Sequence, residues 1–206
     1  HGRAGAERKE VEDRSNATAT DTDRRSRLFA LAAHATYFDS LGGGAASAFS
    51  LTYSSGNLGI RTPAAKAIDD VTARTAGGFH KWAASCVRLQ NLADPMSLLV
   101  SFLGQKAGKN LDSSEKLVLG GPQGVRAYPQ GEAAGDSGYV LSAELRYALK
   151  PGDLPGELTL AGFLDSGQVR INEEPFAAGS NRRRLSGGGI IVQWAKANDF
   201  TVRMTL

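Results

Sequence analysis

The clearest pattern in the sequence is YVLSAELRYALK, residues 139–150. Apolar and polar side chains alternate along it, and successive side chains of a β-strand point to opposite faces. One face would carry Tyr139, Leu141, Ala143, Leu145, Tyr147 and Leu149, and the other Val140, Ser142, Glu144, Arg146, Ala148 and Lys150. Tyrosines near both ends of an apolar face are typical of a strand that faces lipid, because aromatic rings favour the two membrane interfaces.

Similar alternation recurs elsewhere and predicts eight or nine strands. It is visible in residues 49–54, 96–105, 158–165 and 200–206, while 79–92 is interpreted as a strand from its length and context. A soluble β-sandwich also alternates. However, the faces opposite the apolar ones carry Glu144, Arg146, Lys150 and Arg203, which a water-filled lumen accepts and a dry core does not. The predicted fold class is therefore all-β, an antiparallel transmembrane β-barrel.

Composition excludes several other classes. No run of about 18 apolar residues is present, so a membrane-spanning helix is not predicted. The net charge is only +3 and the basic residues are scattered, apart from Arg182, Arg183 and Arg184, so nucleic-acid binding is not expected. The single cysteine, Cys86, forms no internal disulfide and no multi-cysteine metal site.

The chain divides into two parts by composition. Residues 1–25 contain almost no large apolar side chain and are predicted to be a disordered or mobile lead-in, and residues 26–206 are predicted to form a partial barrel. Residues 151–156 form a short turn, whereas 57–77, 120–138 and 170–186 are predicted to be long loops. Barrels of the outer membrane combine short turns on one side with long loops on the other.

The loop at 120–138 contains the motif that bears on function. It reads GGPQGVRAYPQGEAAGDSG, and its glycines and prolines predict a defined shape. A phosphate-binding loop is not predicted, because no Gly-Lys-Ser/Thr follows the glycines. From composition alone, a surface loop without a function remains the alternative.

This loop resembles that of the two-partner secretion transporters, the haemolysin-activator type of outer-membrane protein. The resemblance rests on Gly120-Gly121-Pro122, Val125-Arg126-Ala127-Tyr128, Gly135-Asp136-Ser137-Gly138 and Glu144-Leu145-Arg146, in the family's order. Ala127 stands where the family has glycine. If the backbone needs a positive φ there, alanine costs roughly 1 kcal/mol or more.

A second family element is a Phe-x-Asp-x-Gly strand, present here as Phe163, Asp165 and Gly167. These three residues share one strand face, opposite Leu158, Leu160 and Leu164. If the leucines face lipid, Asp165 faces the lumen and needs a partner there. The resemblance therefore implies an ion pair between Arg126 and Asp165 that holds the loop inside the barrel, with Gly167 leaving room for the loop.

The resemblance also implies a function. Family members have sixteen strands and two periplasmic domains, so this chain is expected to be the C-terminal part of a longer protein in the outer membrane of a Gram-negative bacterium. The implied activity is export of a large, unfolded exoprotein of the haemolysin or adhesin type. The implied surroundings are outer-membrane lipid, without cofactor, metal, nucleotide or nucleic acid.

An insertase of the same superfamily and a soluble all-β binding domain are the alternatives. No enzyme is expected, because His1, His34 and His80 lie far from any nucleophile pattern.

Overall fold

The fold is an antiparallel sheet with one long loop packed against it. A computed structural model describes residues 2–15, 22–149, 152 and 155–206. Its strands are β1 (Gly2–Ser15), β2 (Thr22–Asp39), β3 (Ala45–Ile60), β4 (Gly77–Ala93), β5 (Met96–Ala107), β6 (Leu117–Val118), β7 (Ala134–Gly135), β8 (Ser137–Leu149), β9 (Glu157–Arg170), β10 (Arg182–Lys196) and β11 (Phe200–Thr205). A single α-helix among these residues, α1 (Pro63–Val71), and two short 3₁₀ turns, Leu41–Gly43 and Ser113–Glu115, complete the described elements.

The sheet follows chain order. Its nine strands run β1-β2-β3-β4-β5-β8-β9-β10-β11, and every described pairing between neighbours is antiparallel. The two-residue strands β6 and β7 pair separately, inside the loop that joins β5 to β8. Within the described residues, no helix is both long and apolar enough to cross a membrane.

Burial in the sheet is inverted relative to a soluble protein. Leu164 on β9 is 72% exposed, whereas its neighbours Phe163 and Asp165 are 5% and 3% exposed. On β8 the same holds for Leu145, 45% exposed, beside Glu144, 4% exposed. Large apolar side chains on the open face and buried charges on the other are what a sheet with lipid on one side shows, and they contradict a soluble sandwich.

The predicted strands are confirmed. Residues 139–149 lie in β8, with Lys150 outside the described residues, and the alternation at 49–54, 96–105 and 158–165 falls in β3, β5 and β9. The stretch 200–206 forms β11 and one further residue, Leu206, whose backbone exchanges two hydrogen bonds with Ile190. The ambiguous stretch 79–92 lies in β4, as predicted.

The structure corrects the predicted lead-in. Where residues 1–25 were expected to be disordered or mobile, Gly2–Ser15 forms β1 and Thr22 begins β2, the remaining positions 1 and 16–21 lying outside the described residues. Composition decides whether a segment can bury an apolar core. A strand ladder, however, is held by backbone hydrogen bonds and needs no apolar side chains.

Two predicted loops are shorter than expected. In 57–77, β3 continues to Ile60 and α1 occupies Pro63–Val71. Proline at the first turn of α1 suits helix initiation, because the missing N–H has no intrahelical acceptor there. In 170–186, β10 already begins at Arg182, so Arg182, Arg183 and Arg184 lie on a strand and not at a loop tip.

Candidate functional site

The loop between β5 and β8 folds back on itself. Backbone hydrogen bonds join its two arms, from Leu119 N–H to the Ala133 carbonyl at 2.8 Å and from Gly121 N–H to the Tyr128 carbonyl at 2.9 Å. The Val125 N–H donates to the Leu119 carbonyl at 2.6 Å. These bonds close the apex into a compact unit, here called the loop apex, residues 119–133.

Glycines allow the apex to close. Gly121 has φ +101°, a region that glycine enters without strain. A Cβ at Gly120 would collide with the Pro129 carbonyl, and one at Gly124 with the Leu119 carbonyl. Pro122 follows Gly121 in a tight turn closed from Gly124 N–H to the Gly121 carbonyl at 3.0 Å, a turn position that suits the fixed φ of proline.

An apolar cluster seats the arms of the loop on the sheet. Leu119 and Val169 are fully buried, and Leu117, Ala133 and Val140 are nearly so. A Cβ on Gly167 would come within 3.0 Å of the Leu119 side chain and of the Tyr139 carbonyl. Gly167 therefore provides the space that the sequence predicted for the approach of the loop.

Arg126 extends from the apex into a polar pocket of the sheet. Its Nη2 donates to Asp165 Oδ1 at 2.8 Å, its Nε to Asp165 Oδ2 at 2.9 Å, and its backbone N–H to Oδ2 at 3.0 Å. Nη1 donates to Glu144 Oε2 at 2.7 Å, and Nη2 also donates to Ser142 Oγ at 2.8 Å. The predicted ion pair between Arg126 and Asp165 is therefore present, with Glu144 as a second carboxylate.

The register of the sheet explains why these groups meet. Ser142 and Asp165 are cross-strand partners, and Glu144 and Phe163 form the next pair on the same face. The guanidinium carbon of Arg126 lies 3.8 Å from the centre of the Phe163 ring, a cation–π arrangement. Arg126 thus contacts two neighbouring cross-strand pairs of β8 and β9.

The charges of the pocket are balanced by further arginines. Arg146 Nε donates to Glu144 Oε1 at 2.8 Å, and Arg203 Nη2 lies 3.8 Å from Glu144 Oε2. The Asp165 side chain is fully buried and that of Arg126 only 13% exposed. Buried ions need such pairing, since removal of one partner leaves the other uncompensated.

The remaining predicted residues lie around the apex. Val125 is fully buried, and Tyr128 is half-buried and lines a cavity of about 490 Å³ with Pro122, Gln130 and Arg203. The structure thus brings all the predicted site residues together, at the loop apex and on the strand that the apex contacts. They are Gly120, Gly121, Pro122, Val125, Arg126, Tyr128, Phe163, Asp165 and Gly167. Their functional role stays a prediction.

Ala127 causes no backbone strain. Among the described residues, only Arg74 and Asn198 combine a side chain with positive φ. The cost expected for alanine in place of the family's glycine therefore does not arise.

The base of the loop is fixed by Asp136 of the Gly-Asp-Ser-Gly stretch. Its fully buried carboxylate accepts hydrogen bonds from Leu111 N–H at 3.1 Å and Glu173 N–H at 2.8 Å, and pairs with Lys116 Nζ at 2.9 Å. Glu173 belongs to the connection between β9 and β10. Asp136 therefore ties two connections on the same edge of the sheet.

Asn110 ties a third connection to these two. Its Nδ2 donates to the carbonyls of Ala73 and Glu174 at 2.8 Å each, and its Oδ1 accepts from Glu174 N–H at 2.7 Å. Asn110 as a whole is only 3% exposed. Asn110 thus links the segment after α1 to the connection between β9 and β10.

Two carboxylates in these connections have lowered pKa values. Burial alone raises the pKa of Glu173, but hydrogen bonds from Lys106 and Arg170 to its Oε2 atom outweigh it and hold the pKa below its usual value. Burial also raises the pKa of Asp69 at the end of α1. Hydrogen bonds from Thr75 and Ala76 outweigh this effect and lower the pKa below its usual value.

Sequence reasoning missed some of these partners. Glu144 and Ser142 were placed on the inward face but not assigned to Arg126, although the parity of β8 already puts them beside Asp165. Asn110 was not identified, since a lone asparagine between strands carries no pattern.

A sheet that exposes apolar side chains on one face and seats a long loop on its polar face defines a transmembrane β-barrel with a loop in its lumen. A model of the family described as haemolysin secretion/activation protein ShlB/FhaC/HecB matches residues 3–191. The chain belongs to this family, the two-partner secretion transporters.

Individual relatives agree with this assignment. The outer membrane transporter CdiB of Dickeya dadantii is 28% identical over 149 residues, 71% of this chain and 25% of the relative. The heme/hemopexin transporter protein HuxB of Haemophilus influenzae is 31% identical over 101 residues, 49% of this chain and 18% of the relative. The chain thus spans about a quarter or less of the length of these relatives.

A solved structure shares the fold. CdiB from Escherichia coli superposes with a TM-score of 0.50 at 16% identity, covering 98% of this chain and 46% of that chain. The nine-stranded sheet therefore corresponds to a part of the barrel wall.

Proposed function

We propose that the native protein lies in the outer membrane of a Gram-negative bacterium and exports a large exoprotein of the haemolysin or adhesin type. The exoprotein crosses the lumen unfolded, and lipid surrounds the exposed apolar face of the sheet. The protein is a passive conduit and not an enzyme, and it uses neither a cofactor nor a nucleotide or nucleic acid. Its membership of the two-partner secretion family supports this proposal.

The chemistry of the inner face suits an unfolded polypeptide. Hydroxyl groups line part of it, including Ser50 and Ser85, whose Oγ atoms lie 2.7 Å apart. An extended chain presents backbone donors and acceptors that need polar partners when they leave bulk water. A hydroxyl-bearing wall offers such partners without a strong apolar surface that would retain the chain.

The observation that carries the proposal is the clamp of Arg126 between Asp165 and Glu144. The clamp holds the loop apex against the inner wall, where it occupies space that a polypeptide must pass. Export therefore depends on the position of the apex, and Arg126 acts by setting that position.

The test is Arg126→Ala in the native protein, in cells that also produce its partner exoprotein. We expect normal amounts of inserted transporter in the outer membrane and no secreted exoprotein. Arg184→Ala, which removes an exposed arginine on β10, is the matched control and should secrete normally. Normal secretion by the inserted Arg126→Ala variant would contradict the proposal.

A further inference from the structure

Strand β10 carries three consecutive glycines, Gly187, Gly188 and Gly189, opposite the loop apex. Gly187 is the cross-strand partner of Asp165, which is in turn the partner of Ser142. These three residues form one row across β10, β9 and β8. Arg126 binds the two polar members of that row, so the third member lies directly beside the clamp.

Ala127 occupies the space above Gly187. A Cβ placed on Gly187 would lie 2.5 Å from the Cβ of Ala127 and 3.8 Å from Cγ1 of Val125. Side-chain carbons do not approach one another this closely, and neither atom is the far end of a flexible side chain. The methyl group of Ala127 therefore fills the place where any larger residue at position 187 would put its first carbon.

Backbone conformation does not explain the glycine at this position. Gly187 is not among the glycines with positive φ, and neither is Ala127 among the described non-glycine residues with positive φ. Alanine at 187 is therefore excluded by space alone. The next glycine of the same parity, Gly189, is also crowded, since an added Cβ would lie 2.2 Å from the Leu206 carbonyl and 2.8 Å from the Phe163 ring that packs on Arg126.

The turn at the tip of the apex assigns different contacts to consecutive residues. A hydrogen bond from Tyr128 N–H to the Val125 carbonyl at 3.2 Å closes the turn around Arg126 and Ala127. Arg126 turns its side chain towards β8 and β9, and Ala127 turns its methyl towards β10. The apex thus bridges three adjacent strands.

The two contacts restrain the apex in different ways. An arginine side chain is long and flexible, so it holds its carboxylates over a range of backbone positions. The backbone N–H of Arg126 has no such flexible arm. Its hydrogen bond to Asp165, at 3.0 Å, forms only while the loop backbone lies close to the sheet. Direct contact between Ala127 and Gly187 sets how close the backbone can come.

We propose that Gly187 is a positioning residue that seats Ala127 and thereby sets the depth at which the loop apex docks. The inference rests on the proposed function, in which the position of the apex governs export. It also explains how this chain carries alanine where its family has glycine: the methyl group fits because position 187 has no side chain.

The test uses four variants of the native protein: Gly187→Ala, Ala127→Gly, the double variant, and Gly162→Ala as the matched control. Gly162 lies on β9, and a Cβ added there meets no atom within 4 Å. The depth of the apex is read from the mobility of a spin label on Gln123→Cys in a Cys86→Ser background, independently of export. Secretion of the exoprotein is measured in parallel.

We expect Gly187→Ala to mobilise the label and to lower the docked-to-undocked ratio by about tenfold, as for other overpacked contacts. Ala127→Gly in the same protein should restore both the immobile label and secretion, while Gly162→Ala changes neither. A merely structural defect of the strand would not be relieved by shortening a residue on the loop.

Other outcomes have different meanings. An immobile label in Gly187→Ala, or a failure of Ala127→Gly to restore it, overturns the seat at Gly187. A label that is mobilised and restored as expected, with secretion unchanged throughout, leaves the seat intact and contradicts the proposed role of the apex in export.

Discussion

Asp165 accepts three hydrogen bonds from Arg126, two from the guanidinium and one from the backbone N–H. The carboxylate therefore recognises both the side chain and the main chain of the same loop residue. An ion pair with the guanidinium alone would restrain only the end of the arginine side chain. The additional bond to the backbone N–H also fixes the position of the loop backbone.

The first prediction concerns Arg126→Lys. The lysine ammonium is a compact charge and cannot contact Asp165, Glu144 and Ser142 together as the planar guanidinium does. We expect the backbone bond to Asp165 to persist, with docking weaker by about 1–3 kcal/mol. Secretion should fall between the wild type and Arg126→Ala. Equal secretion by the lysine variant and the wild type would show that charge alone holds the apex.

The second prediction compares the two carboxylates. Asp165→Asn removes the charge that receives both the backbone and the side chain of Arg126, whereas Glu144→Gln removes a charge shared with Arg146 and Arg203. We expect Asp165→Asn to release the apex more than Glu144→Gln does. The spin label on Gln123→Cys measures the difference. The reverse order would place the main anchor on β8.

The third prediction concerns Asn110→Ala, which removes three hydrogen bonds from a buried position. Partners left without a bond cost about 1–3 kcal/mol each when they remain buried. We expect faster proteolysis within 72–76 and 171–181, with the apex label unchanged. Asn57→Ala, at an exposed position on β3, serves as the control. Equal proteolysis of the Asn110 and Asn57 variants would show that Asn110 does not tie these connections together.

The fourth prediction concerns acidification. The pKa of Glu173 is lowered from its usual 4.5, so its folded-state interactions stabilise the protein fully above that value and are lost as the pH falls through the folded pKa. We expect the protection of backbone amides in residues 171–181 against hydrogen exchange, relative to the intrinsic exchange rate at each pH, to fall below about pH 4.5. Glu173→Gln should flatten this dependence, because it has no charge to neutralise.

Glu174→Gln is the control for this experiment, since Glu174 is exposed and contributes its backbone to the bonds with Asn110. Its variant should keep the acid dependence of the wild type. If Glu173→Gln and Glu174→Gln behave alike, the carboxylate of Glu173 does not hold this connection.

Parity and motif spacing predicted the strands and much of the site. The alternation in β8 and β9 assigns Leu145 and Leu164 to one face and Asp165 to the other, because the side-chain period of a strand is two. The ion pair followed from that face together with the resemblance of the loop. These features depend on local pattern, which a sequence displays directly.

Other features of the structure do not follow from a local hydrophobic pattern. Glycines carry no hydrophobic pattern, so the role of Gly187 depends on which residue the folded loop brings above it. The sequence of Gly2–Ser15 shows no apolar alternation, so it did not predict the antiparallel pairing of this strand with β2. The helix Pro63–Val71 did leave a signal, a threonine followed by proline at its start, which favours a helix N-terminus.

The tip of the apex, Arg126 and Ala127, binds strands that follow it in the chain. Arg126 and Ala127 contact β8, β9 and β10, all of which come after residue 136. The loop is therefore synthesised before the strands that bind its tip. The tip cannot dock until β8, β9 and β10 have paired. A docked apex consequently shows that β8, β9 and β10 have paired in register, since a slip of one residue would turn Asp165 and Gly187 to the lipid side together.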